Sequence, residues 1–311
     1  MGLYLLRRLA LSFFAVLVVA SVVFVLLRFT PGDPAATYVG LDVASDDVIS
    51  AVREKWGLNA SLLVQYRNFI TNLFRGDLGN SFVYGDPAIR VVLWRLPNTI
   101  LLAVVALLFT ILLALPLGIL AARKAGKALD NAIGGVTIAL QSMPEFWLSI
   151  ILIQFFALRL GWFPTSGLSG WRSVVLPGFT VSLLQLALIS QIMRRELIRL
   201  GISPMADALR ARGVSERRIL WGHLLRNSGI PVLTVLGTRF AMMINGIVII
   251  EAVYDWPGVG NMAIQSLRSR DYPLIQANVI VTSILAVLIN LVVDLSYNFM
   301  DPRIRRDSVK K

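Results

Sequence analysis

The residues able to do chemistry in this chain are few and unevenly placed. There is one histidine, His223, and no cysteine. That leaves no thiolate nucleophile, no disulfide and no multi-histidine metal site. Gly126-Lys127 is followed by Ala128, and Ala121 stands where a phosphate-cradling loop needs its first glycine, so the chain has no P-loop of its own. The acids do not gather into a catalytic set, which argues against an enzyme. What is concentrated is positive charge. The stretch from Met205 to Thr234 carries Arg210, Arg212, Arg217, Arg218 and Arg226 together with His223. Asp207 opens it, Ala208, Leu209 and Arg210 favour helix, and Gly213 allows a sharp change of direction without a Cβ penalty. Such a segment suits docking. Its arginines can meet acidic groups on another protein, or obey the positive-inside bias and bind anionic lipid.

A second set of residues lies inside apolar runs. Glu145 follows Pro144, and Arg239 stands in a later run. A charge at the centre of a membrane span costs roughly 2.5–3.5 kcal/mol on insertion scales, so neither is expected to face lipid unpaired. Reckoned along straight helices the two lie at similar depth with opposite sign, which predicts a Glu145–Arg239 pair beside a pathway, the alternative being that each projects separately into a wet cavity. Pro144 would loosen its helix and let that span bend. Gln141, Ser142, Gln154, Gln185, Gln191 and Asn245 could bond a polar solute or simply link helices. Glu251 stands at the end of a run before Tyr254-Asp255-Trp256-Pro257-Gly258. That loop is expected either to pack on a gate or to place Trp256 as an interfacial anchor, with the anchor favoured.

The elements that must position these groups are membrane spans. Apolar residues make up 56% of the 311 positions, and the mean hydropathy is +0.72, well above a soluble domain. Runs at Leu9–Leu27, Pro97–Ala122, Ala132–Leu158, Val174–Ile192, Ile230–Val253 and Leu274–Phe299 each approach or exceed the ~20 residues needed to cross the hydrocarbon core. The first run reads as a span rather than a cleaved leader, because Arg28-Phe29-Thr30-Pro31 is a poor cleavage site. Residues 30–95 are polar and predict a small external segment with two amphipathic helices. Ser45 begins one, with Gly57 after it, and Ser61 the other, with Gly76 after it. The expected layout is therefore 1–29 as N-terminus and first span, 30–95 external, 96–300 a five-helix core containing the coupling segment 193–227, and 301–311 a basic tail.

Lys and Arg settle the orientation. Arg7 and Arg8, then Arg123, Lys124 and Lys127, then the arginines from Arg194 to Arg226, and finally Arg303 to Lys311 all fall on one side of a six-span arrangement. By the positive-inside rule that side is the cytoplasm, and both termini lie there. The same bias accounts for the net charge of +12 without invoking nucleic acid.

Asp207-Ala208-Leu209, three residues, then Gly213 resembles the coupling loop of ABC importer permeases. The continuation through Val214-Ser215, His223-x-Leu225-Arg226-Asn227 and Ile230-Pro231-Val232 resembles the dipeptide and oligopeptide branch. So do Arg7-Arg8, Pro31-Gly32-Asp33-Pro34, Gly76-Asp77-Leu78-Gly79-x-Ser81 and Trp256-Pro257-Gly258-Val259-Gly260. Arg270-Asp271-Tyr272-Pro273, Asn290-Leu291-Val292-Val293-Asp294 and Asp301-Pro302-Arg303-Ile304-Arg305 complete the set, which spans almost the whole chain. Asp207 and Leu209 depart from the general motif's Glu and Ala.

The resemblance implies an all-α membrane protein with the type I importer permease fold. It implies that this is the permease with the long external loop, paired with a second, related permease. Two cytoplasmic ATPases would carry ATP and Mg, so this chain would need no cofactor, and an external solute-binding protein would deliver peptide. Nickel and glycosides are alternative cargoes within the class. An ion-coupled secondary transporter is the alternative class, but the repeated, interrupted half-helices it would show are not evident.

Overall fold

The computed structural model describes residues 2–39 and 45–300; the expected tail at 301–311 lies outside the described residues. The described residues are helical, with one isolated bridge between Asn80 and Pro87. In order the helices are α1 (Gly2–Phe29), α2 (Pro34–Val39), α3 (Asp46–Lys55), α4 (Leu62–Phe74), α5 (Ala88–Arg123), α6 (Ala128–Ser142) and α7 (Glu145–Leu152). Then come α8 (Trp171–Gly201), α9 (Pro204–Ala211), α10 (Glu216–Ile219), α11 (Leu225–Gly246), α12 (Val248–Val253), α13 (Val259–Arg268) and α14 (Tyr272–Met300). Two π-helical stretches interrupt the pattern, Ile153–Arg159 after α7 and Leu220–Leu224 before α11.

The chain divides into two compact units, 1–99 with 257–288 and 100–256 with 289–311. In the first, α4 lies against α1. Ser21 Oγ and Tyr66 Oη are 2.8 Å apart, Phe24 stacks on Phe69 at 5.3 Å, and Phe13 meets Phe74 at 6.2 Å. Phe69 and Leu73 pack on a core that includes Ala20, Val92, Met262 and Leu274. The same unit interlocks two turns distant in sequence. The Ser81 hydroxyl donates to the buried Asp271 carboxylate, which also accepts from Val83 N and caps α14 at Leu274 N, both at 3.1 Å. Asp271 thereby does the work of an N-cap while tying the 76–81 turn to the start of α14.

Among the described residues four helices are long and apolar enough to cross a membrane: α1, α5, α8 and α14. The expected third span is not one straight helix. α6 and α7 with its π continuation qualify only as a pair bent by 105°. The bend falls where Met143 and Pro144 take extended backbone, ψ 139 and 136, the conformation the residue before a proline favours. The run expected at Ile230–Val253 forms α11 and α12, separated at Ile247. In the second unit α8 is the interior helix. Of its apolar window 72% is buried, against 17% for that of α1. Interior position lets α8 carry Ser173, Thr180, Ser182 and Ser190, all buried, because protein rather than lipid surrounds them.

Candidate functional site

The basic segment continues from α8 by a sharp, defined turn. α8 ends at Gly201, and the Ser203 side chain caps α9 by accepting from Ala206 N, with Pro204 in the first turn. Pro fits there because the first N–H groups of a helix lack intrahelical partners anyway. α9 ends at Arg212 and Gly213. Gly213 has φ +76. Its N–H donates to Arg210 O at 2.8 Å, and Val214 N donates to Leu209 O at 3.1 Å. This paired closure satisfies the last carbonyls and requires the left-handed residue that glycine supplies. Ser215 then precedes α10, which runs through the π stretch into α11.

Arg210 is the staple of this turn. Its Nη1 donates to Asp207 Oδ1 and to Gly201 O, each at 2.9 Å, and its Nε donates to Glu216 Oε1 at 2.6 Å. One guanidinium thus joins the end of α8, α9 and the start of α10. Its hydrogen bonds to Glu216 and Asp207 push the Arg210 pKa up, and the same guanidinium holds the Glu216 carboxyl below its ordinary range. Asp207 and Arg210 therefore act on the shape of the segment, although the sequence suggests Arg210 as a contact for outside acids. The groups left facing outward are Ala208, Arg212, Arg217, Arg218, His223 and Arg226, all exposed. Leu209 is partly covered and Ala206 is buried. Exposed apolar side chains accompany them, with Ile202 77% and Trp221 58% exposed, and Met205 beside them. The sequence points to Leu209 and apolar neighbours in general but not to these three by position. Their signal was a large apolar residue within an otherwise basic, polar stretch. A cleft of about 730 Å³ opens here, lined by Arg123, Ile198, Ile202, Arg217, Leu220 and Trp221 among others.

The base of this segment is anchored by a pair that the sequence reading did not single out. Asp130, near the start of α6, is 5% exposed and accepts from Arg194 of α8 through Nε at 2.6 Å and Nη2 at 2.5 Å. It also accepts from Gly126 N at 2.9 Å. A fork-on-carboxylate pair of this kind fixes angle as well as distance. The available signal was an acid beside an apolar run, where charges need partners.

The candidate pathway residues do not form the expected pair. Among the described residues no ion pair joins Glu145 to Arg239. The 105° bend at Pro144 removes the straight-helix reckoning that put them at equal depth. Glu145 instead opens α7, where the helix dipole favours an acid. Gln141 and Pro144 are exposed, and Glu145, Gln185 and Arg239 are partly covered. The Asn245 side chain lies outside the described residues. Glu251 is completely buried.

Trp256 corrects another expectation. It is 0% exposed and donates its backbone N–H to Glu251 O at 2.7 Å, so it is a core residue rather than an interfacial anchor. Its neighbour Tyr254 is buried too. The Tyr254 hydroxyl lies 2.8 Å from Thr180 Oγ1 and donates to Ser149 O at 3.4 Å, while its carbonyl accepts from Gly167 N at 2.9 Å. This tyrosine therefore bonds α7, α8 and the 160s loop at one point.

The comparisons with known proteins follow this architecture. Residues 114–306 match the family described as binding-protein-dependent transport system inner membrane component, and residues 1–103 match the corresponding N-terminal family. A probable peptide ABC transporter permease protein, y4tP, of Sinorhizobium fredii is 36% identical over 98% of this chain and 100% of its own length. A putative peptide transport system permease protein of Brucella abortus is 35% identical over 97% and 99%. The glutathione transport system permease protein GsiC of Salmonella choleraesuis is 35% identical over 97% and 98%. Among solved structures, an inward-facing form of the MetNI methionine ABC transporter aligns with TM-score 0.57 at 17% identity, covering 68% of this chain and 96% of that one. An amino acid ABC transporter solved with histidines gives 0.53 at 14% identity, covering 67% and 94%. At those identities the two structures establish the type I importer permease fold. Matched over both its halves and along nearly its full length, the chain belongs to the inner-membrane permease family of binding-protein-dependent ABC importers.

Proposed function

We propose that this chain imports peptides, as one permease of a heterodimer, with both termini and the α9 segment in the cytoplasm. The observation that carries the reading is the α8–α9–α10 turn. A short helix, closed by Gly213 and held by Arg210, presents exposed Ala208 and Arg212 at the end of the interior helix α8. Its rigidity matters for coupling. Movement of an ATPase against α9 would pass to α8 as displacement of a stapled unit rather than being absorbed by a loose loop. The family fixes the general scheme, in which ATP is hydrolysed by separate subunits and a binding protein presents the solute. ATP and Mg would sit on those partner subunits, and this chain would hold neither.

In the cycle, ATP draws the two ATPases together, the paired α9 segments follow, and the spans open toward the binding protein. Hydrolysis reverses the movement and cargo leaves inward. Gln141, Gln185 and Asn245 are the groups offered to the peptide backbone along the way. Peptide cargo is supported by relatives named for peptide and glutathione transport. The orientation is supported by the Lys and Arg distribution.

The test is purification of the tagged chain from native membranes in mild detergent, followed by reconstitution. Recovery with two P-loop ATPases and a second permease, and ATP-dependent uptake of labelled peptide with binding protein, is the expected result. Solute movement by the chain alone without ATP would overturn the reading.

A further inference from the structure

We propose that the groove between α1 and the start of α4 holds one acyl chain of a phospholipid whose phosphate rests on Arg28. The groove has a volume of about 270 Å³ and is lined by Phe24, Val25, Phe29, Leu62 and Leu63, with Arg28 at its mouth. The polar part of its lining is closed chemically. The hydroxyls of Ser21 and Tyr66 satisfy each other at 2.8 Å, so nothing polar there asks for water. Its walls face outward, with Leu63 81% and Phe29 75% exposed, continuous with the lipid-type surface of α1. Loss of that much apolar area to a bilayer is favourable, and the occupant that a spanning helix meets along its outer face is an acyl chain.

Arg28 sets which part of a lipid sits at the mouth. It is in the last turn of α1, where a span reaches the headgroup layer. Its guanidinium is held over the rings of Phe24, at 5.1 Å, and Tyr272, at 4.9 Å. Those contacts orient the group but supply no acceptor. Nε and Nη1 are shielded from solvent and have no hydrogen-bond partner. Among the described residues no carboxylate pairs with Arg28, and the Asp33 carboxylate in the turn after α1 is taken by Arg53 at 2.8 Å. The helix dipole explains why a cation is placed at this end; it does not satisfy the two N–H groups. A phosphate diester carries charge, acceptor oxygens and an attached apolar chain, so it meets the cation and the groove together, with a small rotation of the guanidinium bringing its N–H groups to the oxygens. A free peptide carboxylate would meet only the cation.

The test uses the full complex in nanodiscs of phosphatidylglycerol and phosphatidylethanolamine. A trace of phosphatidylglycerol carrying a diazirine in its acyl chain is photolysed, and the labelled peptides are mapped. Labelling should concentrate on the peptides holding Val25–Phe29 and Leu62–Leu63. Arg28→Gln should reduce that labelling about five-fold, equivalent to about 1 kcal/mol, while Arg28→Lys retains most of it. Arg67→Gln, on an exposed part of α4, should leave it unchanged. Label spread evenly around α1, or equal labelling in Arg28→Gln, would overturn the proposal. A photoreactive residue at position 63 that captures the binding protein or the second permease instead of lipid would overturn it as well. Since the wild-type map alone decides between a concentrated and an even distribution, a variant that fails to fold does not remove the test.

Discussion

Cutting the pair between Asp130 and Arg194 should give an asymmetric result, and the asymmetry follows from burial. Asp130 is 5% exposed, whereas Arg194 is 33% exposed. In Arg194→Met the carboxylate is stranded with a single remaining donor, Gly126 N at 2.9 Å. Breaking a buried pair from one side costs about 3–5 kcal/mol. Protonation limits that cost: neutralising a carboxyl with an ordinary pKa near 3.9 at pH 7 takes about 4 kcal/mol, at 1.36 kcal/mol per pH unit. Because Asp130 also lines an open cavity, water can reach the carboxylate once Arg194 is gone, and the expected loss is about 2–3 kcal/mol, below the range for a fully buried pair. In Asp130→Leu the cation is left instead; both residues line a cavity of about 350 Å³, but the longer side chain of Arg194, already 33% exposed, can turn further into it and recover water. That loss should be about 1–2 kcal/mol, between the values for exposed and buried pairs. The double variant should be more stable than Arg194→Met alone, because no charge is stranded. Equilibrium unfolding in mixed micelles, followed by far-UV circular dichroism, measures all three. Equal losses, the reverse order, or a double variant no better than Arg194→Met would refute the reasoning. Because Arg194 lies near the end of α8, the single variants should also slow ATP-driven uptake at temperatures where the protein stays folded.

Two further perturbations separate packing from surface. A methyl group at Gly118 would lie 2.6 Å from Ser190 O and 2.7 Å from Met193 Cβ, so Gly118→Ala must push α5 from α8 and should cost about 1–3 kcal/mol. Gly134→Ala meets nothing within 4 Å and should be neutral or gain about 0.5–1 kcal/mol in the same assay; equal effects would mean the α5–α8 approach is not close. Acid should loosen the α9 turn. The folded-state pKa of Glu216 is lowered by Arg210, so its contribution is present above the ordinary carboxyl pKa and is lost as pH falls through the lowered one. Amide exchange at 204–216, corrected for its intrinsic pH dependence, should stay constant from neutral pH to about 5 and rise only below it. Arg210→Ala should show the loosened pattern at neutral pH, and Arg217→Ala should not.

Much of this arrangement was legible because it rests on local rules. Gly57, Gly76 and Gly213 end helices where the pattern placed them, all with positive φ. The apolar runs became helices because a bilayer admits little else. What was not legible depends on neighbours. Pro144 folds its segment by 105°, yet Pro177 and Pro231 sit inside α8 and α11. The residue type is the same; what differs is surroundings, since Pro177 is buried within the interior helix and Pro144 is exposed. Trp256 carries the composition of an interfacial anchor, and only its three-dimensional surroundings make it core. Pairs such as Asp130–Arg194 and Ser81–Asp271 join residues far apart in sequence, and single-sequence periodicity holds no information about such partners. The Glu145–Arg239 expectation failed for the same reason, since it assumed a straight helix that the chain does not form.

The central claim is that α9 docks an ATPase, and the cysteine-free sequence offers a clean measurement. A single cysteine at Ala208, which is exposed on α9, can be treated with a short bifunctional thiol reagent in native membranes against single cysteines on the membrane-facing surface of the ATPase. The account predicts a crosslink from position 208 to the ATPase that changes in yield when ATP is bound. A matched cysteine at Thr71, on α4, should give none. Crosslinking of position 208 only to lipid-facing chains, or to no protein in a complex that still transports peptide, would contradict the account.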